Sequence, residues 1–176
     1  MMPIDESRAF RPLHIAVLTI SDTRTPADDT SGDTLVERLQ AAGHRLAARA
    51  IVPDQLDTIV EQLSQLIDDP AVECILTTGG TGLTGRDVTP EAVEAVADKL
   101  IPGFGELFRY QSLAKIGTST IQSRALGAVA RGTYVFALPG STGAVRDAWD
   151  GILAEQLDSR FGPCNFVSLL GRLRER

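Results

Sequence analysis

Apolar and polar positions alternate along this chain in blocks rather than residue by residue. The run LHIAVLTI at residues 13–20 is nearly continuous and ends in Ser21-Asp22, the pattern of a strand buried on both faces of a parallel sheet. After a polar loop at residues 23–32, Leu35, Val36 and Leu39 recur at helical spacing until Gly43 stops them. Residues 47–52 predict a second, alanine-rich strand. Pro53-Asp54 then turns the chain into a helix whose Leu56, Ile59, Val60, Leu63, Leu66 and Ile67 share one stripe, and Pro70 ends it. A third strand, Cys74–Thr78, runs into a glycine-rich loop and a helix beginning near Pro90 that carries Val93, Val96 and Leu100. Thr89 is the expected cap of that helix, since Pro90 suits a first helical position whose N–H would be unpaired anyway.

Between residues 102 and 129 the regularity fades. Short helical pieces are expected there, broken by Gly103, Gly105, Gly117 and Gly127, with Phe104, Leu107, Phe108, Tyr110 and Leu113 forming a cluster suited to core or subunit contact. Thr133–Leu138 predicts another buried strand that ends in Pro139-Gly140-Ser141-Thr142-Gly143, and a last helix sets Val145, Trp149, Ile152, Leu153 and Leu157 on one side. Such β–α alternation predicts an α/β fold: a parallel sheet, helices on both faces, and a ligand site outside the carboxyl ends of the strands. A single domain over residues 13–170 is expected, flanked by tails at 1–12 and 171–176.

Composition narrows the function. The chain has 43% apolar and 23% charged residues, and no apolar run approaches the roughly 20 residues needed to cross a bilayer. The first residues lack the apolar core of a secretory signal, and two cysteines, Cys74 and Cys164, are too few for a disulfide framework. A cytoplasmic protein is expected. A net charge of −6 argues against a nucleic-acid partner but not against a small anion, which backbone dipoles and one or two arginines hold locally.

The candidate chemistry follows the third strand. Gly79, Gly80, Gly82 and Gly85 let backbone N–H groups converge on an anion with no Cβ in the way, and Thr77, Thr78, Thr81 and Thr84 add hydroxyls. Residues 80–85 match G-x-G-x-x-G in form. However, the helix starts beyond the last glycine and no strand-ending acid follows at the right distance, so a dinucleotide site is not indicated. Gly-Lys-Ser/Thr is absent, which excludes a nucleoside-triphosphate P-loop. The loop at 139–142 is equally a tight turn or a second anion nest, and a doubly wound sheet would bring it beside the first. Asp22, Asp54 and Asp87 stand at or beyond strand ends, where carboxylates around a phosphate point to Mg²⁺. Asp54 serves equally well as a helix cap, whereas Asp28, Asp29 and Asp33 read as a solvated acidic loop. Glu106 either points from a turn or is an exposed helix acid. Arg124 either clamps a phosphate or pairs with an acid of the scaffold. His14 and His44 have no nucleophile signature nearby.

Thr77-Thr-Gly-Gly-Thr-Gly82, Arg86-Asp-Val-Thr-Pro90, Pro102-Gly-Phe-Gly-Glu106, Ser123-Arg-Ala125 and Pro139-Gly-Ser141 occur in this order over nearly the whole chain. In that order they resemble the MoaB/MogA family of molybdenum cofactor biosynthesis proteins and the G domain of gephyrin; residues 112–169 are similar to the MoaB branch. The resemblance implies a three-layer α/β/α fold with a mostly parallel sheet, assembled as a homotrimer or homohexamer, with a molybdopterin pocket. It implies an adenylyltransferase that joins AMP from Mg-ATP to the terminal phosphate of molybdopterin and releases pyrophosphate. The alternative is a molybdopterin-binding protein without that activity. By the same resemblance Asp54 and Asp87 are the catalytic and Mg²⁺-binding residues. Ser21, Asp22, Thr78, Gly79, Gly80, Thr81, Gly82, Glu106, Ser123, Arg124, Pro139, Gly140 and Ser141 are then the substrate contacts.

Overall fold

Successive side chains of the central strands enter opposite layers, which is why their sequences are apolar without interruption. The computed structural model describes residues 4–175. In it Ile15 and Val17 of β1 (His14–Ile20) share one core with Cys74 and Leu76 of β3 (Cys74–Thr78) and with Tyr134, Phe136 and Leu138 of β6 (Thr133–Leu138). Ala16, Leu18 and Ile20, then Ile75, then Val135 and Ala137 enter the other. The first core is covered by α1 (Thr30–Ala41), α4 (Pro102–Ile116) and α5 (Thr142–Ala148). The second is covered by α2 (Leu56–Asp68) and α3 (Thr89–Val96). Each fully buried Leu, Ile or Phe here stabilises the fold by about 1.5–3 kcal/mol before the cost of ordering is counted.

With β2 (Arg45–Val52), β4 (Lys99–Ile101) and β5 (Leu126–Ala130), the sheet runs β2-β1-β3-β6-β5-β4. β1 pairs in parallel with β2 and β3, and β3 with β6. β5 is antiparallel to β6 and β4 to β5. The fold is therefore a three-layer α/β arrangement with a mostly parallel sheet. Strand order reverses between β1 and β3, the place where such sheets open a crevice. Among the described residues no helix is long and apolar enough to cross a membrane.

Residues 102–129 correct the expectation of broken pieces. Pro102–Ile116 is one continuous helix that carries Gly103 and Gly105 in its first turns. A side chain at Gly105 would meet Ala125 O at 2.3 Å, so that glycine serves close packing rather than helix breaking. α4 stops at Gly117, whose φ is +58°, and a 3₁₀ segment, Gly117–Gln122, leads into β5. The two-residue turn Arg131-Gly132, with φ of +50° and +92°, folds β5 back onto β6.

Three polar expectations also change. Thr89 is the first residue of α3 rather than its cap; its hydroxyl donates to Gly79 O at 2.9 Å. Asp54 caps nothing, because Gln55 holds the α2 cap position and no side chain accepts there. Asp29 is fully buried rather than solvated and caps α1. Of the two expected tails, residues 1–3 and 176 lie outside the described residues. Ile4 bridges to Phe161, and the Phe10 ring lies 5.3 Å from His44.

Candidate functional site

Four parallel strands end on one edge of the sheet in the order β2, β1, β3, β6, so the loops opening at Pro53, Ser21, Gly79 and Pro139 lie side by side. Their approach is tight. A Cβ on Gly79 would stand 2.1 Å from Ile20 O, and its φ of +112° already disfavours any other residue. A Cβ on Gly140 would meet Gly79 Cα at 3.2 Å, and Thr78 Oγ1 donates to Pro139 O at 3.1 Å. The two glycine loops that the sequence placed after separate strands thus meet.

They enclose a polar cavity of about 330 Å³ lined by Thr19, Ser21, Asp54, Thr78, Gly79, Gly80, Arg86, Asp87 and Gly140, among others. It continues into a second, of about 380 Å³, where Thr81, Gly82, Ser123 and Pro139 join Gly80, Asp87 and Gly140. The N–H groups of Gly80, Thr81, Gly140 and Ser141 donate to no acceptor among the described residues. Unpaired donors gathered at strand carboxyl ends are suited to an anionic group.

The remaining expected residues stand apart from these two cavities. Asp22 lines an adjoining, more apolar cavity of about 680 Å³ with Pro26, Arg49 and Val52. Ser141 lines another of about 560 Å³ that shares Ser123 and Pro139. Glu106 is exposed on α4 and borders none of them. Arg124 turns to the scaffold: Nε donates to Gly82 O at 2.7 Å, and its other nitrogens bond Asp87 O and the Glu91 carboxylate. It straps the glycine loop to α3 through one N–H of each of its three nitrogens, the scaffold pairing that was one of its two alternatives.

The acids are differently held. Asp22 N–H donates to Asp54 Oδ2 and Asp54 N–H to Asp22 Oδ1, each at 3.1 Å, a reciprocal clasp between the β1 and β2 ends. Burial raises the Asp54 carboxyl above its ordinary range, and the charge of Asp22 adds to this. Asp87 is held below its ordinary range: the Thr84 hydroxyl donates to it at 2.7 Å and, with backbone N–H bonds and the Arg124 charge, outweighs burial. Two neighbouring carboxyls are thereby driven in opposite directions, as at many reaction sites.

Asp54 Oδ1 accepts no hydrogen bond from the described residues, and Thr84 bonds Asp87 only at Oδ2. Open carboxylate oxygens on a phosphate-sized cavity fit Mg²⁺, which takes one or two carboxylates and fills its shell from phosphate and water. Among the described residues no three His, Cys, Asp or Glu side chains gather into a fuller metal set.

Two contributors escaped the sequence reading. Arg86 lines the polar cavity, and the Arg-Asp pair just after the glycines was its signal. Asp29 supports the floor by accepting from Thr19 Oγ1 at 2.7 Å, Gly32 N at 3.0 Å and Arg49 Nη2 at 3.0 Å. Its signal was an Asp standing just before a helical run.

Residues 16–159 match the family model described as a probable molybdopterin binding domain. The molybdenum cofactor biosynthesis protein B of Escherichia coli K12 is 49% identical over 160 residues, 91% of this chain and 94% of that protein. The protein of the same name from Bacillus cereus is 44% identical over 153 residues, 86% and 90% respectively. Among solved structures, a molybdenum cofactor biosynthesis protein B aligns with a TM-score of 0.86 at 39% identity, over 96% of this chain and all of that one. The tungsten cofactor synthesizing protein MoaB from Pyrococcus furiosus aligns with a TM-score of 0.78 at 31% identity, over 95% and 100%.

Proposed function

The chain belongs to the molybdopterin-binding-domain family of molybdenum cofactor biosynthesis proteins, in its protein B branch, and from that membership we propose that it binds molybdopterin and adenylylates it with Mg-ATP. The observation that carries the reading is the meeting of two donor-rich glycine loops with two carboxyls, Asp54 and Asp87, driven apart in acidity. In the proposed reaction an oxygen of the molybdopterin phosphate forms a bond to the α-phosphorus of ATP. The bond from that phosphorus to the β-bridging oxygen breaks, and pyrophosphate leaves.

Two polyanions must be aligned and their repulsion cancelled; no covalent enzyme intermediate is needed. The free N–H groups of Gly80, Thr81 and Gly140 supply fixed donors along the phosphate path. Asp54 and Asp87 would hold Mg²⁺, which when bound neutralises phosphate charge. Ser21, Thr78, Gly79, Gly82, Ser123 and Pro139 complete the walls. Asp22 and Arg124 act through their neighbours, holding Asp54 and the glycine loop. The reading includes a cytoplasmic setting, in keeping with two free cysteines, and assembly about a threefold axis as a trimer or hexamer.

The test is turnover of the purified protein with molybdopterin and Mg-ATP, following adenylylated molybdopterin by chromatography. Asp87→Ala is expected to lower turnover by roughly 100-fold or more while molybdopterin still binds. Unchanged turnover would remove Asp87 from catalysis. Binding by the wild type without product would leave a molybdopterin-binding protein that does not transfer AMP.

A further inference from the structure

We propose that Arg86 is a mobile arm for a pyrophosphoryl group, parked on Asp22 until such a ligand enters the polar cavity; this rests on the anionic-substrate reading above. Arg86 sits on the cavity wall with Asp54, Asp87, Gly79 and Gly80. Its Nε lies 3.0 Å from Asp22 Oδ2, and its Nη2 bonds the same oxygen. Asp22 Oδ1 is already taken by the Asp54 N–H. Two guanidinium donors therefore converge on one acceptor, whereas a phosphate presents two oxygens that match the fork.

The pair is also open to exchange. Its side chains are 59% and 40% exposed, and ion pairs in that setting contribute little. The space around its side chain is open: nothing lies within 4 Å of a Cβ placed on Gly85, and Leu83 is 66% exposed. The other cation on the cavity wall, Arg24, is tied to Asp28 O at 3.1 Å within its own loop. Losing Arg86 leaves Asp22 its clasp with Asp54, so the exchange does not dismantle the β1 and β2 loops.

Inorganic pyrophosphate is the probe, titrated calorimetrically into the full chain carrying Arg86→Ala, Asp22→Asn, both, or neither. Removing the arm should weaken binding by about tenfold or more, the usual loss of a hydrogen-bonded charge. Removing its competitor should tighten binding, and that gain should vanish in the Arg86→Ala background. A bridge that only holds the loops predicts both single variants shift affinity the same way. That result, an equal gain from Asp22→Asn in both backgrounds, or no binding of pyrophosphate by the wild type would each overturn the proposal. Pyrophosphate binding requires no AMP transfer, so a silent transferase assay leaves this outcome readable, and a static Arg86 leaves the transferase assay unaffected.

Discussion

On one side of the molecule β2, β1, β3 and β6 run the same way and pool their carboxyl-terminal loops; on the other, β5 runs against them, β4 turns back again, and only Gln122 and Ser123, just before β5, reach the cleft. The parallel side is closed around its backbone, with Gly79 and Gly140 almost in contact. The antiparallel side is left open. Of the ten exposed large apolar side chains among the described residues, six lie in residues 100–121: Leu100, Leu107, Tyr110, Leu113, Ile116 and Ile121. Exposed apolar patches of this kind mark interaction surfaces more often than chance. One half of the sheet thus brings its loops together by close backbone approach, and the other leaves apolar side chains exposed.

The contrast is broken most severely by making one chemical change on each side. Gly79→Ala adds a methyl that would stand 2.1 Å from Ile20 O at a φ of +112°, so the β1 and β3 ends must separate. A destabilisation above about 4 kcal/mol is expected, combining strain with a steric clash. Gly103→Ala, in the first turn of α4, meets no atom within 4 Å and replaces a flexible helical residue. It should stabilise by about 0.5–1 kcal/mol. Urea unfolding of the two variants checks the pair, and a similar cost for both would mean that the parallel side is no tighter than the other.

The same division explains what could be read from the sequence. β1, β3 and β6 were legible because burial on both faces forces an unbroken apolar run, and the glycine loops because only glycine tolerates their close passage. β5 was not, since LGAVA looks like any small-residue stretch. Gly127 is small because Phe136 and Phe104 pack where its side chain would be, at 3.0 and 3.2 Å, a fact that exists only in the folded chain. Asp29 was misread, and the alternatives for Arg124 stayed open, for a related reason: their partners, Arg49 and Gly82 O, are distant in sequence. For Glu106, an exposed acid on α4, the plainer alternative was the one found.

Asp29 yields the next largest expected effect, on the parallel side again. Asp29→Ala removes the α1 cap and leaves the Thr19 hydroxyl and part of Arg49 without an acceptor. About 2–3 kcal/mol should be lost at neutral pH. Burial pushes the Asp29 carboxyl up, but hydrogen bonds from Thr19, Gly32 and Arg49 outweigh it and hold it below the ordinary range. A carboxyl that is more acidic folded than unfolded contributes in full above the unfolded value of about 3.9, and that contribution disappears as pH falls through the folded value. The difference in urea midpoint between wild type and variant should be constant from about pH 7 to 5 and shrink below about pH 4. A difference that persists unchanged at low pH would show that the lost cap geometry, not the charge, sets the cost.

The smallest effect on stability, paired with a large effect on assembly, is expected on the open side. Tyr110 is 75% exposed and Leu113 48%, so changing both to Ser removes few intramolecular contacts, and the unfolding free energy of the monomer should move by no more than about 0.5 kcal/mol. If α4 forms the threefold contact, the same double variant should shift light scattering toward smaller species at concentrations where the wild type is assembled. Leu56→Ser provides the counterpart on the parallel side: it is comparably exposed, at 42%, but lies on α2, away from the patch, and should leave assembly unchanged. A monomeric wild type would remove the threefold assembly altogether. An α4 variant that assembles like the wild type would instead leave assembly intact and move the contact off this face, separating the site-forming half of the sheet from its assembly by a route that α4 does not provide.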